Sequence, residues 1–374
     1  MKIEHFKMER MQSTWENEVE YNLSESGVHP LTLREFLSGD ELREIQDLGL
    51  GYSQSNGTPE LRERIAGLYP GASPDHVLVT NGSSEANYLL MWSLIEPGDE
   101  VIFMMPNYMQ MGGLVRGFGA ALKPLWLKES LGWAPDLDEL RKLVTPKTKL
   151  IIVTNPNNPT GAVLSGAAMS AIVEVAARAG AWIVADEIYQ GAERVGEPTP
   201  SFWATYERTL IVNGLSKAYG LPGVRMGWIV GPKEFILKTW SYHDYTTISP
   251  GVLSDRIARI ALSPANREKI LKRTRTIIQK NYAQLESWLN KRAGLFSCVP
   301  PRAGAIAFAR YALKANSTDF VTRLIKEKST LIVPGDHFEM DLYLRFGFGS
   351  EPEYLAKGLA RVGELFDELK KAER

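Results

Sequence analysis

The chain has 374 residues, of which 44% are hydrophobic and 23% charged, the composition of a protein that folds throughout. Its 43 Lys and Arg residues balance its 44 Asp and Glu residues, and the net charge of −1 gives no overall field that would favour a nucleic acid or an anionic membrane. The single cysteine, Cys298, excludes an internal disulfide, and the five histidines lack metal-ligand spacing. We therefore expect a reducing compartment and no metal.

Residues 1–21 mix charges into every turn and lack the apolar core of a signal peptide, so we expect a cytoplasmic protein. Residues 1–40 have no sheet of their own, and we predict that they pack with the small C-terminal domain. The most apolar long stretch, residues 161–185, contains Glu174 and Arg178, which are unusual in a bilayer-spanning helix. We interpret it as a buried helix and strand, and expect no membrane partner.

Residues 41–255 are predicted to form a large α/β domain. Between residues 75 and 231, short runs that are apolar on both faces alternate with helical patterns, which is typical of a mainly parallel sheet covered by helices on both sides. The seven runs are HVLVT, DEVIFMM, ALKPLWL, KLIIVT, AWIVADE, TLIVN and RMGWIVG. Two helices are predicted over residues 85–95 and 166–178. Because such sheets bind ligands beyond the carboxyl ends of their strands, the residues after each run are candidate site residues.

Residues 256–374 show a different order of helical and strand patterns and are predicted to form a smaller α+β domain. A long charged helix over about 264–292 precedes the strands FSCVP and AIAFARY, and a second helix is predicted near 319–328. The strands LIVPG and LYLRFGF and a last helix complete this part. No repeat or low-complexity linker suggests an independently moving module.

The stretch N-G-S-S-E, residues 81–85, follows the run HVLVT and opens a predicted helix. Free backbone amides and the helix dipole attract a phosphate at such a position. An ordinary helix start, with Ser83 as the N-cap, explains these residues equally well. Neither a Walker loop nor G-x-G-x-x-G accompanies them, so no nucleoside triphosphate or dinucleotide is expected.

Two further stretches follow buried strands. N-P-N-N-P-T-G, residues 155–161, is either a plain turn or a rigid loop that aims one asparagine amide at a ligand. The run AWIVA leads directly into Asp186, whose carboxylate needs a partner at the end of so apolar a strand. That partner is a ligand cation, such as a protonated ring nitrogen, or an arginine of the chain.

Lys217 follows the strand TLIVN, and Arg225 lies eight residues later at the start of the next strand. Two glycines and a proline between them favour a tight loop. A lysine that is desolvated in such a loop acts as a nucleophilic amine in Schiff-base formation. For this motif alone, a surface lysine in a mobile loop is the commoner interpretation.

Taken together, Tyr108, N-P-N-N-P-T-G, D-E-I-Y and S-K-x-x-x-x-x-G-x-R-x-G, in this order and spacing, resemble the class I/II aminotransferases of the fold type I pyridoxal-phosphate (PLP) enzymes. The resemblance runs from about Gly27 to Arg345. It implies a large PLP-binding domain with a mainly parallel seven-stranded sheet and a smaller α+β domain. It also implies that Lys217 forms a Schiff base with PLP and moves protons at the substrate Cα, while Asp186 keeps the pyridine nitrogen protonated.

The resemblance assigns further residues to the cofactor. Asn158 and Tyr189 would hydrogen-bond the phenolic oxygen of the ring, with Asn158 also part of the substrate site and Tyr189 counted as catalytic. Tyr108 would stack on the pyridine face, although ordinary core packing also explains an aromatic there. The phosphate would be held by four residues, namely Gly82, Ser83, Ser84 and Arg225.

Three residues are assigned to the substrate or to a second subunit. Tyr52 resembles a family tyrosine that reaches the phosphate of the neighbouring subunit, which implies a homodimer with shared active sites. Arg345 matches the arginine that binds the substrate α-carboxylate, and Gly27 resembles a backbone that closes over it. Without the resemblance, Tyr52 is explained as a tyrosine that packs beside a turn. Arg345 is then explained as a strand arginine that faces solvent or pairs with an acid.

Two departures from the family pattern bear on specificity. Many relatives carry a serine or threonine that touches the phosphate where this chain has Gly214, and Ser216 or a backbone amide would have to compensate. The segment S-E-S-G-V-H-P, residues 24–30, also departs from the pattern near the substrate side chain. Five residues are candidates to line the substrate pocket, although ordinary packing explains them equally well: Tyr21, His29, Tyr242, His243 and Tyr245.

The sequence therefore favours a PLP-dependent aminotransferase that moves an amino group from an L-amino acid to a 2-oxo acid. One alternative keeps the cofactor but changes the reaction to that of a lyase or cyclase, and S-E-S-G-V-H weakly resembles capreomycidine-synthase-like members. Another is a non-catalytic aminotransferase-like sensor, which we would expect to add a DNA-binding segment and a basic patch. The expected partners are small molecules and a second subunit, with no nucleic acid.

Overall fold

The computed structural model describes residues 2–372, and the chain begins with short elements that precede the main sheet. Thr32 and Ser38 start two of the helices with reciprocal capping boxes, in which each side chain accepts the backbone amide three residues on. The elements of this segment are α1 (Lys7–Trp15), β1 (Tyr21–Asn22), α2 (Leu33–Phe36) and α3 (Gly39–Gln46).

The large sheet contains all seven predicted strands. They are β2 (Val77–Thr80), β3 (Glu100–Met105), β4 (Ala121–Lys128), β6 (Thr148–Thr154), β7 (Trp182–Asp186), β8 (Thr209–Gly214) and β9 (Gly227–Val230), with a two-residue strand, β5 (Ala134–Pro135), as an eighth member. The spatial order is β2-β9-β8-β7-β6-β3-β4-β5. The five strands from β8 to β4 in this order run parallel, whereas β9 is antiparallel to both of its neighbours and β5 is antiparallel to β4.

Helices cover both faces of this sheet, as the apolar runs predicted. Successive side chains of a strand point to opposite faces. Val77 and Val79 accordingly pack in one apolar cluster and Leu78 in another. The helices of this part are α4 (Pro59–Ala66), α5 (Ser83–Leu94), α6 (Gln110–Gly117), α7 (Leu137–Leu143), α8 (Gly166–Ala179), α9 (Lys233–His243) and α10 (Val252–Ala261).

The C-terminal part is built around a four-stranded antiparallel sheet with the order β10-β11-β14-β13. The four strands of this sheet are β10 (Phe296–Cys298), β11 (Ile306–Tyr311), β13 (Val333–Pro334) and β14 (Tyr343–Gly347). The same part of the chain contains the short strand β12 (Thr330–Leu331) and the helices α11 (Pro264–Asn290), α12 (Ser317–Lys328) and α13 (Pro352–Ala372). Short 3₁₀ turns occupy Pro74–His76, Glu129–Leu131, Pro222–Val224 and Gly335–Phe338.

The N-terminal segment lies along the C-terminal part. Strand β1 pairs in parallel with β12, and the chain then runs beside the end of β14, where the Gly347 amide donates to the Leu23 carbonyl at 2.8 Å. A Cβ on Gly347 would lie 1.9 Å from the carbonyl oxygen of Glu25, so only glycine permits this approach. The close contact brings residues 24–27 to the carboxyl ends of the large sheet.

No helix within residues 2–372 is both long enough and apolar enough to cross a membrane.

Candidate active site

A cavity of about 300 Å³ opens where the strands β6, β7 and β8 end. It is lined by nine of the residues predicted from sequence, which lie far apart along the chain. These residues are Ser83, Ser84, Tyr108, Asn158, Asp186, Tyr189, Lys217, Arg225 and Arg345. The structure thus brings together the polar residues that follow the strands, as expected for a sheet of this kind.

Asp186 is the last residue of β7 and is only 5% exposed. Its carboxylate accepts the backbone amide of Ile188 at 3.1 Å and lines the cavity. Burial raises the pKa of Asp186 to about 6, although the Ile188 amide and the positive charge of Lys217 act in the opposite direction. A protonated ring nitrogen in the cavity would offset the cost of this buried charge.

Lys217 lies three residues beyond β8 and faces an acid that sequence reasoning did not select. Its Nζ is 3.7 Å from Oε2 of Glu25, and this amine lowers the pKa of the Glu25 carboxyl. Gly27 lies against the same lysine, because a Cβ built there would be 3.4 Å from the Ser216 carbonyl oxygen and 3.6 Å from the Lys217 Cα. Glu25 and Gly27 therefore form one wall beside the amine.

The start of α5 forms a cradle suited to a phosphate. Its first two residues, Ser83 and Ser84, line the cavity, and the first amides of a helix have no partner within the helix. Gly82 precedes them with φ +87° and approaches the Arg225 guanidinium. A Cβ on Gly227 would lie 2.4 Å from the Ser83 nitrogen, so glycine is required where β9 passes the helix start.

The departure at Gly214 has a steric cause. A Cβ there would lie 2.7 Å from the Met226 carbonyl oxygen, so the backbone of the adjoining strand leaves no room for a serine or threonine. Ser216 lines the cavity two residues later and is 8% exposed. Ser216 therefore stays the candidate for the hydroxyl contact that Gly214 lacks.

Arg345 is 1% exposed and also lines the cavity. Its Nη1 donates to Oδ1 of Asn158 at 2.9 Å and its Nη2 donates to the Ser24 carbonyl at 2.5 Å. Its buried Nε has no hydrogen-bond partner within the described part of the chain. A buried guanidinium with an unused donor suits a ligand carboxylate.

Two tyrosines of the cavity are held through their hydroxyl groups. Tyr189 donates to the Ser26 hydroxyl at 2.8 Å, and Tyr108 donates to the Glu9 carboxylate at 2.9 Å. The Tyr108 ring also packs edge-on against Phe6, with 4.9 Å between ring centroids. Burial raises the pKa of both phenols, so both remain protonated donors at neutral pH.

Tyr52 is 89% exposed and does not line the cavity. The five tyrosines and histidines that were candidates for the pocket do not line it either. His243 is buried with Nε2 3.3 Å from Glu85, and His29 lies against Arg273 and Glu351. Tyr21 packs on Tyr354, Tyr242 packs on Trp92, and Tyr245 is exposed.

Sequence reasoning missed the N-terminal side of the cavity. Met8, Glu9, Gln12 and Glu16 of α1 and its C-terminal flank line it, together with Glu25 and Ser26. Their spacing along α1 places them on one helical face, but a charged helix face ordinarily indicates solvent exposure. The only sequence signal was the departure in residues 24–30, which pointed to this region without naming a residue.

The residues present fit PLP. A lysine amine, a buried carboxylate for the ring nitrogen and a glycine-lined helix start for the phosphate surround one cavity. The unused Nε of Arg345 at the far end leaves a place for an amino acid carboxylate.

Comparison with known proteins agrees with this assignment. The sequence model of the family "Aminotransferase class I and II" matches residues 34–362. Capreomycidine synthase of Streptomyces vinaceus is 33% identical over 349 residues, which cover 92% of this chain and 89% of that protein. A PLP-dependent aminotransferase of Streptococcus suis superposes with a TM-score of 0.93 at 36% identity over 99% of both chains. The PLP-dependent cyclase OrfR superposes with a TM-score of 0.89 at 29% identity over 98% of both chains.

The fold and the cavity define a fold type I PLP-dependent enzyme. The chain belongs to the class I and II aminotransferase family, and its cofactor is PLP. The predicted family, fold class and cofactor are therefore confirmed.

Proposed function

We propose that this chain is an aminotransferase that moves an amino group from an L-amino acid to a 2-oxo acid. The proposal rests on the presence, in one cavity, of the Lys217 amine and the buried Arg345, whose Nε has no hydrogen-bond partner among residues 2–372. The first group suits amino-group chemistry and the second suits the carboxylate that amino acids and 2-oxo acids share.

PLP supplies the carbonyl that captures the substrate amine and the ring that withdraws electrons from the substrate Cα. Lys217 holds the cofactor at rest and afterwards moves the proton at the substrate Cα, because its amine lies in the cavity beside the cofactor position. Asp186 keeps a proton on the ring nitrogen, since its buried carboxylate gains a cationic partner there. Without this acid the ring would withdraw electrons less effectively.

The remaining residues position the two ligands. The amides and hydroxyls of Ser83 and Ser84, with the Arg225 guanidinium, hold the phosphate. Tyr108 supports the ring face. Asn158 and Tyr189 bind the phenolic oxygen, with Asn158 also orienting Arg345 through the 2.9 Å hydrogen bond. Arg345 then aligns the substrate carboxylate, and the backbone at Gly27 closes over it.

The working unit of the proposal is a homodimer in the cytoplasm, and the single cysteine supports the reducing compartment. Tyr52 is 89% exposed, and Tyr245 is 82% exposed. Both belong to segments joined to the phosphate end of the cavity, where the Ser53 hydroxyl donates to the Pro250 carbonyl at 2.5 Å and Asn81 donates to the Ser249 carbonyl at 3.2 Å. A second subunit that covers these side chains would bring its own Tyr52 to the phosphate.

A PLP-dependent lyase or cyclase is the second candidate function. It is favoured by the 33% identity to capreomycidine synthase and by the structural similarity to OrfR. The two candidates differ in what happens to the cofactor. A transaminase leaves the amino group on it after the first half-reaction, whereas a lyase or cyclase returns the cofactor to Lys217.

The test adds a pool of L-amino acids to the PLP-loaded enzyme without any 2-oxo acid. Transamination predicts a stable change from the absorbance band of lysine-bound PLP to that of its amine form, with about one 2-oxo acid formed per site. Continuous formation of a product in the absence of an acceptor, with return of the original band, would instead establish the lyase or cyclase reaction. The absence of any lysine-bound band after PLP is supplied would contradict both candidates.

A further inference from the structure

Three carboxylates of the cavity have no role in the reaction described above. They belong to Glu9, Glu16 and Glu25. Glu9 accepts the hydrogen bond from Tyr108 at 2.9 Å, and Glu25 lies 3.7 Å from Lys217. The side chain of Glu16 makes no hydrogen bond or ion pair within residues 2–372. We call these three residues the acidic wall.

The acidic wall concentrates negative charge in a small volume. Burial raises the pKa of Glu16, repulsion by Glu25 and Glu9 adds to the increase, and the positive charge of Lys217 opposes it. Glu16 is therefore close enough to each of the other two carboxylates to be repelled by both. Such an arrangement is unfavourable unless a cation binds among them.

The cavity has few cations with which to neutralise the acidic wall. Three cationic side chains line it within the described part of the chain, and they are Lys217, Arg225 and Arg345. Lys217 lies 3.7 Å from Glu25, and both Lys217 and Arg345 lower the pKa of the Glu25 carboxyl. In the proposed function the three cations serve the cofactor carbonyl, the phosphate and the substrate carboxylate. The neutralising cation must then come from the ligand.

An independent observation shows where the other end of that ligand binds. Arg345 is 1% exposed and lines the cavity, and its Nε has no hydrogen-bond partner in the part of the chain that the structure describes. Its Nη1 lies 3.7 Å from the Met8 sulfur, at the start of the α1 face that continues through Glu9 towards Glu16. At a rise of 1.5 Å per residue, the path from Met8 to Glu16 is about 12 Å long. The acidic wall thus begins next to the carboxylate site and extends away from it.

We propose that the substrate is an amino acid whose side chain ends in a cation, either an amine or a guanidinium, and that Glu9, Glu16 and Glu25 bind this cation. The inference rests on the proposed function, since that function places the substrate carboxylate on Arg345. The acidic wall also disfavours acidic amino acids, because it would repel a second carboxylate.

The test is a titration of the PLP-loaded enzyme with paired amino acids, using the absorbance change on binding rather than turnover. L-Arginine is compared with L-citrulline, and L-lysine with L-norleucine, because each pair has similar length but differs in charge. We expect the cationic member to bind at least about tenfold more tightly, with L-glutamate weaker than either neutral compound. Added salt should reduce the preference. The pair with the larger ratio identifies the guanidinium or the amine.

Matched variants test whether the acidic wall causes the preference for cationic amino acids. Glu16→Gln and Glu25→Gln keep the side-chain shape but remove a charge, and each should lower the ratio of cationic to neutral binding several-fold. Glu18→Gln is the control, because Glu18 is exposed and does not line the cavity. It should leave the ratio unchanged.

The outcomes separate the two proposals. If citrulline, norleucine or glutamate binds as tightly as the cationic amino acids, the substrate class is wrong while amino acid chemistry stands. A preference that survives both Glu→Gln changes would likewise overturn the acidic wall. If no amino acid alters the spectrum and no product forms, the proposed function fails, and this inference fails with it.

Discussion

The two sides of the cavity are built differently. On the side that we assign to the cofactor, Asp186 and Lys217 lie at or just beyond the ends of neighbouring parallel strands of the large sheet. On the side that we assign to the substrate, α1 and residues 24–27 are held by contacts with distant parts of the chain, such as the donation from Arg345 to the Ser24 carbonyl. The position of a cofactor residue thus follows from its own strand, whereas that of a substrate residue depends on tertiary packing.

The difference predicts that the two sides respond separately to mutation. The substrate side rests on a few polar contacts, including the donations from Gln12 to the Ser24 hydroxyl at 2.9 Å and from Tyr189 to Ser26 at 2.8 Å. Changes there should alter amino acid binding and leave PLP in place. Changes at the strand ends should abolish the reaction whatever the substrate.

The largest effect is expected from Lys217→Ala. The variant loses the amine that we propose to hold PLP and to move the substrate proton, so the proposed amino transfer should fall by at least about a thousandfold. The absorbance band of lysine-bound PLP should also be absent. Rates of 2-oxo acid formation and the visible spectrum of the purified variant measure both effects.

Lys217→Arg is the control for this change, since it keeps a positive charge near Glu25 but removes the nucleophilic amine. It should be as inactive as the alanine variant. Wild-type transfer rates in either variant would show that another residue performs these steps.

Arg345→Lys should have the next largest effect. Lysine keeps the charge but loses the planar pair of donors, so the KM for the amino acid should rise about tenfold to a hundredfold. The spectrum of bound PLP should stay unchanged, because Arg345 lies on the substrate side. An amine that lacks a carboxylate serves as the control ligand, and its binding should be little affected. Equal losses for both ligands would contradict the assignment of the carboxylate to Arg345.

The contrast between the two sides explains how much the sequence could predict. The seven strands were predicted because each is apolar on both faces, and strand ends are recognisable in sequence. The residues at those ends were assigned to the cofactor only through the resemblance to the aminotransferase motifs. Glu9 and Glu16 could not be predicted in this way. A charged helix face looks the same whether it meets solvent or a cavity, and only the packing of α1 decides between them. Tyr52 remains a prediction, since its assigned ligand belongs to a second subunit.

Gly347→Ala tests how the substrate side is attached. A Cβ at this position would lie 1.9 Å from the Glu25 carbonyl oxygen, so the backbone of residues 24–27 must move. We expect a loss of about 2–3 kcal/mol in the free energy of unfolding and weaker amino acid binding, with PLP still bound. Urea denaturation and spectral titration measure the two effects.

Gly49→Ala is the control for this change, because a Cβ on Gly49 meets no atom within 4 Å. An equal loss of PLP affinity would contradict the separation of the two sides.

The smallest predicted effect is on the free energy of unfolding of the PLP-free protein. Burial raises the pKa of Asp186 to about 6, so between about pH 4 and pH 6 the unfolded chain releases a proton that the folded chain retains. The contribution of this group to stability therefore falls as the pH rises through that range and is lowest above pH 6. A shift of about two pKa units corresponds to at most about 3 kcal/mol, and we expect roughly half of this because the carboxylate faces the cavity.

Asp186→Asn should remove this pH dependence, making the PLP-free protein more stable than the wild type at pH 7.5 and no more stable at pH 4. Urea denaturation at a series of pH values measures the difference. Glu187→Gln is the matched control, because burial raises the pKa of the adjacent Glu187 to about 8 while its carboxylate accepts bonds from Ser201 and Phe202 and does not line the cavity. It should weaken the pH dependence between about pH 4.5 and pH 6, where both carboxyls contribute, and remove the part between pH 6 and pH 8, where only Glu187 contributes. If Asp186→Asn instead destabilised the PLP-free protein at pH 7.5, the carboxylate would already have its partner within the chain, and the site would not be preformed for a cationic ring.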